Sequence, residues 1–346
     1  MIQVDNEKEP AKVISFINLK GGVGKTSAAI NIADELSKEG NLVLVVDMDP
    51  QFNATQALLD HQFSHHKYFI DNTLLEEVTA QFEKEFKESL ENESLEKFEE
   101  KKLFQSQLNS QLIYSHLKSK NLTVNTLFQS NTFVSETETS DLIYRIKSKL
   151  HLMPGDLDLF QTLPGDTSGK HNILEDHFSE HSLRDKYNYI IIDCPPNWTI
   201  LTQASLFASD YYIIPSKIDL FSSIGIGLLD KLITSTFYKK SDIHILYKMY
   251  REKLKKQKIQ SLGVLFTLTH DMTISWKLKD KLVKEISQEF FVTEIPYQAS
   301  VPLKFSLYDE GGTKHDALKY ALSKIKSEIE GKIEDKMRYN YEKITE

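Results

Sequence analysis

The stretch FINLKGGVGKTS, residues 16–27, has the glycines, lysine and threonine of a phosphate-binding loop. In such a loop successive backbone N–H groups turn towards a phosphate, and the following helix adds its positive N-terminal field. The apolar run VISFINL precedes the loop, and SAAINIADELSKEG follows it with apolar residues at helical spacing. Because this motif requires the order strand, loop, helix, the sequence favours a nucleotide site over a ligand-free glycine turn.

The beginning of the loop departs from the usual pattern. A glycine ordinarily stands five residues before Gly24, but this chain has Leu19 there, followed by a second lysine, Lys20. Lys25 is expected to reach the β and γ phosphates, and the hydroxyl of Thr26 is expected to bind Mg²⁺. Lys20 therefore calls for a separate explanation.

Apolar segments recur along the chain and alternate with helical patterns. This alternation predicts an α/β fold with a doubly wound, mostly parallel sheet of the P-loop NTPase type. About a dozen residues precede the glycine loop, too few for a helix-turn-helix domain, so any DNA contact is expected from the core or its insertions. The predicted strand segments are NLVLVVDMDP, YNYIIIDCPP (187–196), YYIIPSK (211–217) and SLGVLFTLT (261–269).

Residues 61 to about 141 interrupt this alternation. The segment is acidic at its start, has almost no Gly or Pro, and spaces Leu and Phe as a helix does. We therefore predict one P-loop ATPase domain over 11–335, interrupted by a helical insertion at about 61–141, with a C-terminal tail at 336–346. The insertion is expected either to pack on the core or to bind a partner.

Composition narrows the classes of protein that this chain can represent. The 346 residues are enough for a large core, and a single cysteine, Cys194, cannot form an internal disulfide. No run approaches the ~18 apolar residues of a membrane span. A formal net charge of −8 argues against a uniformly basic nucleic-acid coat. A cytoplasmic protein is expected, without a membrane partner.

Three acidic residues follow predicted strands, at the edge where open α/β sheets place their ligands. Asp193 ends the apolar run YIIID, and Asp47 and Asp49 alternate at the end of another strand, so those two point in different directions. Magnesium needs oxygen ligands and a hydrolytic water needs an orienting group. These three carboxylates are therefore candidates for both roles.

Taken together, KGGVGKT, DMDPQFNAT and YNYIIIDCPP resemble the ParA/MinD family of deviant Walker ATPases. The resemblance extends to KLHLMPGDLDLF, LTQASLFASDYYIIPSK, GVLFTLT, TEIPYQASV and FSLYDEGGTKHDALKYALSKI. It covers about 11–60 and 142–330 and leaves out the predicted insertion.

The resemblance implies ATP and Mg²⁺ as cofactors and assigns roles to individual residues. Lys20 matches the lysine that crosses a dimer interface to the phosphates of ATP in the other subunit. Asp49 matches the switch acid that orients the attacking water, and Asn53 is expected to help. Lys20, Lys25 and Asp49 are thus the expected catalytic residues, and Thr26, Asp47 and Asp193 the expected metal set. The expected nucleotide contacts are Lys20, Gly21, Gly22, Val23, Gly24, Lys25, Thr26, Ser27 and Pro296.

Residues 238–258 form the most basic segment of the chain, with eight basic side chains against Asp242 and Glu252 and with Tyr247 and Tyr250 between them. Such a segment either binds DNA phosphates without reading the sequence or is a solvated helix. IPYQASV lacks the arginines that partition ATPases often carry after Ile-Pro. The candidate DNA-binding residues are Lys239, Lys240, Lys248, Arg251, Lys253, Lys255, Lys256 and Lys258.

The function implied by the resemblance is a ParA-like, ATP-dependent dimer switch. Its ATP-bound homodimer would bind non-specific double-stranded DNA, a ParB-like protein would stimulate hydrolysis, and the cycle would drive plasmid or chromosome partition on the nucleoid. The alternatives are a MinD-like positioning ATPase on a membrane, an ATPase that positions protein cargo through the insertion, and a scaffold that does not hydrolyse ATP.

Two further features are assigned structural roles. His61, His65 and His66 are expected to be surface histidines, because no Cys or acidic residue completes a metal site nearby in the sequence. At the C-terminus, four apolar residues recur at every fourth position and predict a narrow stripe for packing or for a partner. They are Ile325, Ile329, Ile333 and Met337.

Overall fold

The computed structural model describes residues 9–90, 98–129, 141–162, 169–239, 241–299 and 307–345. Within these residues the strands form one eight-stranded sheet. In chain order they are β1 (Lys12–Phe16), β2 (Val43–Asp47), β3 (Tyr144–Lys147), β4 (Leu150–Met153), β5 (Tyr189–Asp193), β6 (Tyr211–Ser216), β7 (Gln260–Thr269) and β8 (Ile295–Pro296).

The strand order in the sheet is β3-β4-β2-β5-β1-β6-β7-β8. Every neighbouring pair is parallel except β3 with β4, so the predicted mostly parallel sheet is confirmed. β1 lies between β5 and β6, and the register sets Phe16 and Asp47 each beside Asp193. The carboxyl ends of β1, β2 and β5 therefore meet at one edge of the sheet.

Helices cover both faces of the sheet. Alternate residues of β1 belong to different cores, since Ile14 packs on one face and Val13 on the other. The predicted doubly wound architecture is thus present. The helices are α1 (Lys25–Lys38), α2 (Asn53–His65), α3 (Asn72–Leu90), α4 (Phe98–Ser119), α5 (Asn125–Phe128), α6 (Leu159–Thr162), α7 (Ile173–Glu180), α8 (Leu183–Lys186), α9 (Ile200–Ala208), α10 (Ser222–Ile233), α11 (Asp242–Lys253), α12 (Thr273–Glu285) and α13 (Asp316–Thr345).

The stretch predicted as a helical insertion contains α3 and α4. Helix α4 packs against both α3 and α2, and it buries Ile113 and Leu117 in the same core as α1. Position 61 lies inside α2. This helix begins at Asn53, shortly after the carboxyl end of β2, and continues without a break into the predicted insertion. Residues 91–97 and 130–140 of this stretch lie outside the described residues.

The C-terminal helix α13 differs from the predicted boundary at 336. It continues through that position to Thr345, so the stretch 336–346 does not begin as a separate tail. The predicted apolar stripe packs against the core at Ile325, Ile329 and Ile333, which are at most 3% exposed, whereas Met337 is 44% exposed. No helix in the part of the chain that the structure describes is both long and apolar enough to cross a membrane.

Candidate nucleotide-binding site

The glycine loop connects the end of β1 to the start of α1. Gly22 and Gly24 have φ angles of 68° and 73°, a left-handed conformation that glycine adopts without steric cost. Gly24 is the N-cap of α1, which begins at Lys25. A Cβ atom placed on Gly21 or Gly22 would meet no heavy atom within 4 Å, so the loop backbone faces open space. This geometry suits an anion at the start of a helix.

A cavity of about 500 Å³ lies above the loop. Predicted nucleotide contacts from Lys20 to Ser27 line it, as do Asp49 and Asn53, the predicted switch residues. Pro296 does not belong to the lining; its neighbour Tyr297 does. The remaining lining residues are Gln51, Pro196, Lys217 and Leu268.

Lys25 is buried between two of the predicted acids. Its Nζ lies 2.8 Å from Oδ1 of Asp193 and 3.6 Å from Oδ2 of Asp49. Both acids reach it because β2 and β5 are neighbours that end at the same edge. Burial opposes the charge of Lys25, but these carboxylates prevail and raise its pKa above the ordinary value.

Asp47 is fully buried beneath this pair and is held by hydrogen bonds. Its Oδ2 accepts from the backbone N and from Oγ1 of Thr55, each at 2.8 Å, and its Oδ1 accepts from the N of Asp49 at 3.3 Å. The Thr55 hydroxyl in turn accepts from the N of Gly155 at 2.8 Å. A Cβ on Gly155 would lie 2.9 Å from Cγ of Asp47, so only glycine fits there.

The electrostatics of this cluster favour a divalent cation. Lys25 supplies one ammonium group to two carboxylates, those of Asp49 and Asp193, and the Asp47 carboxyl is buried next to Asp193. Burial, followed by the charge of Asp193, raises the pKa of Asp47 to about 8. Oδ2 of Asp193 is buried and has no hydrogen-bond partner among the described residues. Carboxylate and hydroxyl oxygens are the ligands that Mg²⁺ prefers, so Asp193 together with the cavity-lining Thr26 fits this ion.

The predicted switch lies between β2 and α2. The Asp49 carboxylate accepts a hydrogen bond from the N of Gln51 at 3.0 Å, which fixes the turn. Phe52 has a φ of 41°, unusual for a residue with a side chain, and Asn53 begins α2. The turn thus places Asp49 and Asn53 on the wall of the cavity.

Lys20 lies at the rim of the cavity. Its backbone N donates to Oδ1 of Asn18 at 2.9 Å, and its Nζ pairs with Oδ2 of Asp219 at 2.6 Å. The side chain is 44% exposed, in contrast to the buried Lys25. The two lysines of the loop therefore differ in environment. The ammonium group of Lys25 is buried against carboxylates, whereas that of Lys20 lies at the surface.

Sequence reasoning missed five residues of the cavity wall, and one of them is Gln51, the residue whose N–H binds Asp49. Lys217 follows the predicted strand YYIIPSK at the ligand edge, a signal that could have identified it. Leu268 has a φ of 53° and lies against Gly24, a turn that no pattern indicated. The hydroxyl of Thr267 donates to the carbonyl of Val23 at 2.6 Å and fastens β7 to the loop. Pro196 and Tyr297 complete the missed set.

The predicted DNA-binding residues separate into three groups. Lys240 lies outside the described residues. Arg251 and Lys256 do not belong to a free basic surface, because both are engaged in ion pairs with Asp210. The others are exposed to solvent, namely Lys239, Lys248, Lys253, Lys255 and Lys258.

Arg251 and Lys256 are drawn into the protein by the carboxylate of Asp210 and so leave the predicted DNA-binding surface. Nη1 of Arg251 lies 2.9 Å from Asp210, Nζ of Lys256 lies 2.9 Å from it, and Arg184 adds a third cation at 3.0 Å. Burial acts against the Asp210 carboxylate, but these cations hold its pKa well below the ordinary value. Tyr247 is also buried, so this part of the segment stabilises the core.

The exposed lysines at the end of this segment lie far from the nucleotide cavity. Lys255 and Lys258 line a depression together with Lys12, Tyr211 and Gln260, the first residues of β1, β6 and β7. Because these strands are parallel, their first residues lie at the edge opposite the phosphate loop. A ligand bound at this depression would therefore not contact a nucleotide bound at the phosphate loop.

The parallel sheet, the loop between β1 and α1, and the acids at the ends of β2 and β5 define a P-loop nucleotide-binding protein. A family model described as an AAA domain matches residues 11–245. The chain belongs to this family, and its motifs and relatives identify it as a P-loop ATPase of the ParA/MinD group.

Similar proteins were found among curated sequences and solved structures. An uncharacterized protein of Mycobacterium tuberculosis is 27% identical over 220 residues, which are 64% of this chain and 51% of that protein. The sporulation initiation inhibitor protein Soj of Bacillus subtilis is 26% identical over 63% of each chain. The chain thus spans half to two thirds of these relatives. The structure of a putative plasmid partition protein of Borrelia burgdorferi bound to AMPPNP covers 92% of this chain and 98% of its own, with a TM-score of 0.55 and 18% identity; it shows the shared fold.

Proposed function

We propose that this protein hydrolyses ATP and acts as an ATP-dependent dimer switch that binds non-specific DNA and serves plasmid or chromosome partition. The observation that carries the proposal is the buried Lys25 between Asp193 and Asp49 at the floor of a cavity lined by the glycine loop. The solved plasmid partition protein with AMPPNP supports ATP as the nucleotide.

Different residues of the site would bind the phosphates, hold Mg²⁺ and accept a proton from water. The loop backbone and Lys25 would bind the phosphates, and Lys25 would exchange its contact with Asp193 for one with a phosphate oxygen. Thr26 and Asp193 would hold Mg²⁺, which neutralises charge on the β and γ phosphates. Asp49, fixed by Gln51, would accept the proton of the attacking water.

Dimerisation would depend on Lys20. Its ammonium group is at the rim of the cavity and pairs, within the described part of the chain, with Asp219 at the surface. A surface ion pair is worth little, so exchange of Asp219 for a phosphate of a nucleotide in a second copy would cost little. Two anionic nucleotides brought face to face would each gain a cation in this way.

Hydrolysis is tested by phosphate release from the purified protein with ATP and Mg²⁺. Asp49→Ala is expected to lower the rate by about 100-fold, the scale of a lost proton acceptor, while nucleotide binding persists. Asp280→Ala, on the exposed side of α12, is the matched control and should keep the wild-type rate. A rate unchanged in Asp49→Ala would contradict the assigned role of Asp49, whereas no phosphate release by the wild type would favour the scaffold alternative.

DNA binding is tested by retention on non-specific duplex DNA, with and without ATP, at two salt concentrations. Retention should need ATP, weaken with salt and be lost in Lys20→Ala and Lys25→Ala. It should also be lost when the five exposed lysines of the basic segment become Gln, these being Lys239, Lys248, Lys253, Lys255 and Lys258.

The matched control for charge replaces five exposed lysines elsewhere in the chain, and it should retain DNA as the wild type does. These are Lys67, Lys84, Lys120, Lys149 and Lys284. Equal loss of DNA retention in both five-lysine variants would show that retention depends on the net charge of the protein and not on the basic segment. No retention by the wild type, with ATP binding and dimerisation intact, would remove DNA from the proposal and keep the ATPase.

A second candidate is an ATPase that positions protein cargo through the insertion. Its support is that α4 packs directly on α2, the helix that begins at Asn53 on the cavity wall. In that case a partner bound to α3 and α4 would sense the nucleotide through α2. Replacement of the exposed residues Glu76, Glu83 and Gln111 of α3 and α4 by alanine would then abolish partner recovery and spare ATP binding.

A further inference from the structure

Two histidines of α2 and a glutamate far along the chain meet on the surface of the core. His61 and His65 are four residues apart on α2, and Glu310 lies in the 3₁₀ segment Tyr308–His315 that precedes α13. One ligand atom from each of these three side chains can be chosen so that all three lie within 4.8 Å of one another. Glu310, 249 residues from His61 in the sequence, thus provides the acidic side chain that is missing near the histidines in the sequence.

His61 is not the surface histidine that was expected. It is 6% exposed, with Nδ1 3.0 Å from Oε1 of Glu310. Its other nitrogen, Nε2, is buried and has no hydrogen-bond partner among the described residues. A buried ring nitrogen without a partner costs free energy unless something satisfies it. His65 and Glu310 are more accessible, so the cluster is open to solvent on one side.

The donor set has a definite chemical preference. Two imidazoles and one carboxylate, with the histidines at i and i+4 of one helix, suit Zn²⁺ and similar first-row divalent ions. Mg²⁺ takes oxygen ligands instead and would favour the Asp193 site. We infer that His61, His65 and Glu310 form a site for a zinc-like divalent cation, separate from the nucleotide site.

Such an ion would join two parts of the chain that are distant in sequence. Helix α2 starts at Asn53 on the wall of the nucleotide cavity and ends beside this cluster, and Glu310 belongs to the segment that leads into α13. The ion would therefore link the C-terminal end of α2 to the segment Tyr308–His315. Its expected effect is to stabilise the protein and to restrain α2.

The site is tested by equilibrium dialysis of the full chain against Zn²⁺, with excess Mg²⁺ present to occupy the oxygen site and without nucleotide. The wild type should bind zinc at this site, and His65→Gln and Glu310→Gln should each weaken that binding by at least ~10-fold. Both positions are outside the nucleotide cavity, and circular dichroism verifies that each variant is folded. Zinc at about 100 times its dissociation constant should raise the wild-type Tm by about 4 °C and leave His65→Gln unchanged.

The matched control uses another histidine pair with the same helical spacing. His177 and His181 lie four residues apart at the C-terminal end of α7 with ring centroids 4.5 Å apart, and among the described residues no acid completes a ligand set with them. His181→Gln should bind zinc as the wild type does. Equal zinc binding in wild type and His65→Gln, or binding that disappears only in Asp193→Asn, would overturn the inference.

Discussion

Phe52 stacks on Tyr114, with ring centroids 4.7 Å apart and planes inclined by 11°. Phe52 is the left-handed residue between Asp49, the proposed switch acid, and α2, and Tyr114 lies on α4. The hydroxyl of Tyr114 also donates to Asp156, at 3.2 Å, in the segment after β4. The turn that carries Asp49 is therefore braced by a ring from the predicted insertion.

A double-mutant cycle with Phe52→Ala and Tyr114→Ala should yield a coupling free energy of about 1 kcal/mol in urea unfolding, as expected for a stacked aromatic pair. Each single variant should also change the rate of ATP hydrolysis, because the turn holds Asp49. Tyr68→Ala, an exposed aromatic residue, serves as the control and should affect neither quantity. Strict additivity of the two stability changes would argue that the rings do not interact.

Gly155→Ala should destabilise the protein by about 1–3 kcal/mol and reduce ATP hydrolysis, since its Cβ would lie 2.9 Å from Cγ of the buried Asp47. Gly227→Ala is the matched control. It lies exposed inside α10 with nothing within 4 Å of the added Cβ, and alanine should stabilise that helix by up to about 1 kcal/mol. Wild-type behaviour of Gly155→Ala would show that Asp47 can move without consequence.

Asp210→Asn should lower the free energy of unfolding by about 3–5 kcal/mol, because it removes the carboxylate that binds the cations of Arg184, Arg251 and Lys256. Denaturation in urea at neutral pH measures the effect. Asp280→Asn, on the exposed side of α12, should stay within about 0.5 kcal/mol of wild type. A similarly small effect of Asp210→Asn would mean that the cluster contributes no net stability.

Stability should fall in mild acid partly through His177. Burial lowers its pKa from 6.5 to about 4, and its Nε2 donates to the carbonyl of Asp141 at 3.0 Å. Between pH 6.5 and 4, His177 binds a proton in the unfolded chain but not in the folded chain. The free energy of unfolding that is present above pH 6.5 is therefore lost as the pH falls. The loss is up to about 3 kcal/mol.

His177→Gln should therefore show a smaller loss of stability over that range than the wild type, as measured by urea unfolding at a series of pH values. His151, with a pKa lowered by burial to about 4, contributes in the same direction and remains in the variant. His270→Gln, at an exposed position, should follow the wild-type curve. Coincident curves for His177→Gln and wild type would refute the assignment.

The structure places the predicted phosphate loop and the three predicted acids at one edge of the sheet, as local patterns indicated, because each position depends on a strand, a turn and a few neighbouring residues. The short strand β3 was missed, since Tyr144–Lys147 alternates polar and apolar residues too briefly to stand out. The predicted boundary between domain and tail at 336 falls inside one continuous helix, α13, and the apolar stripe from Ile325 to Met337 crosses that position.

Features that depend on distant partners could not be predicted from spacing. Local sequence places Arg251 in a basic surface, but in the fold the carboxylate of Asp210, 41 residues away, lies beside it. Local sequence predicts that His61 is exposed, but in the fold Glu310 lies beside it. In both cases a charged or polar side chain is buried because the fold supplies a partner, and the identity of that partner depends on topology rather than on local sequence.

The position of β5 between β1 and β2 has a consequence for biosynthesis. The strand that separates the first two consists of residues Tyr189–Asp193, so neither β1 nor β2 has its central neighbour until that segment has left the ribosome. Parallel ladders of such long range close slowly, because the intervening chain loses entropy before the contacts form. A nascent chain that already displays its complete glycine loop would therefore still lack Asp193, and it could acquire a finished nucleotide site only late in translation.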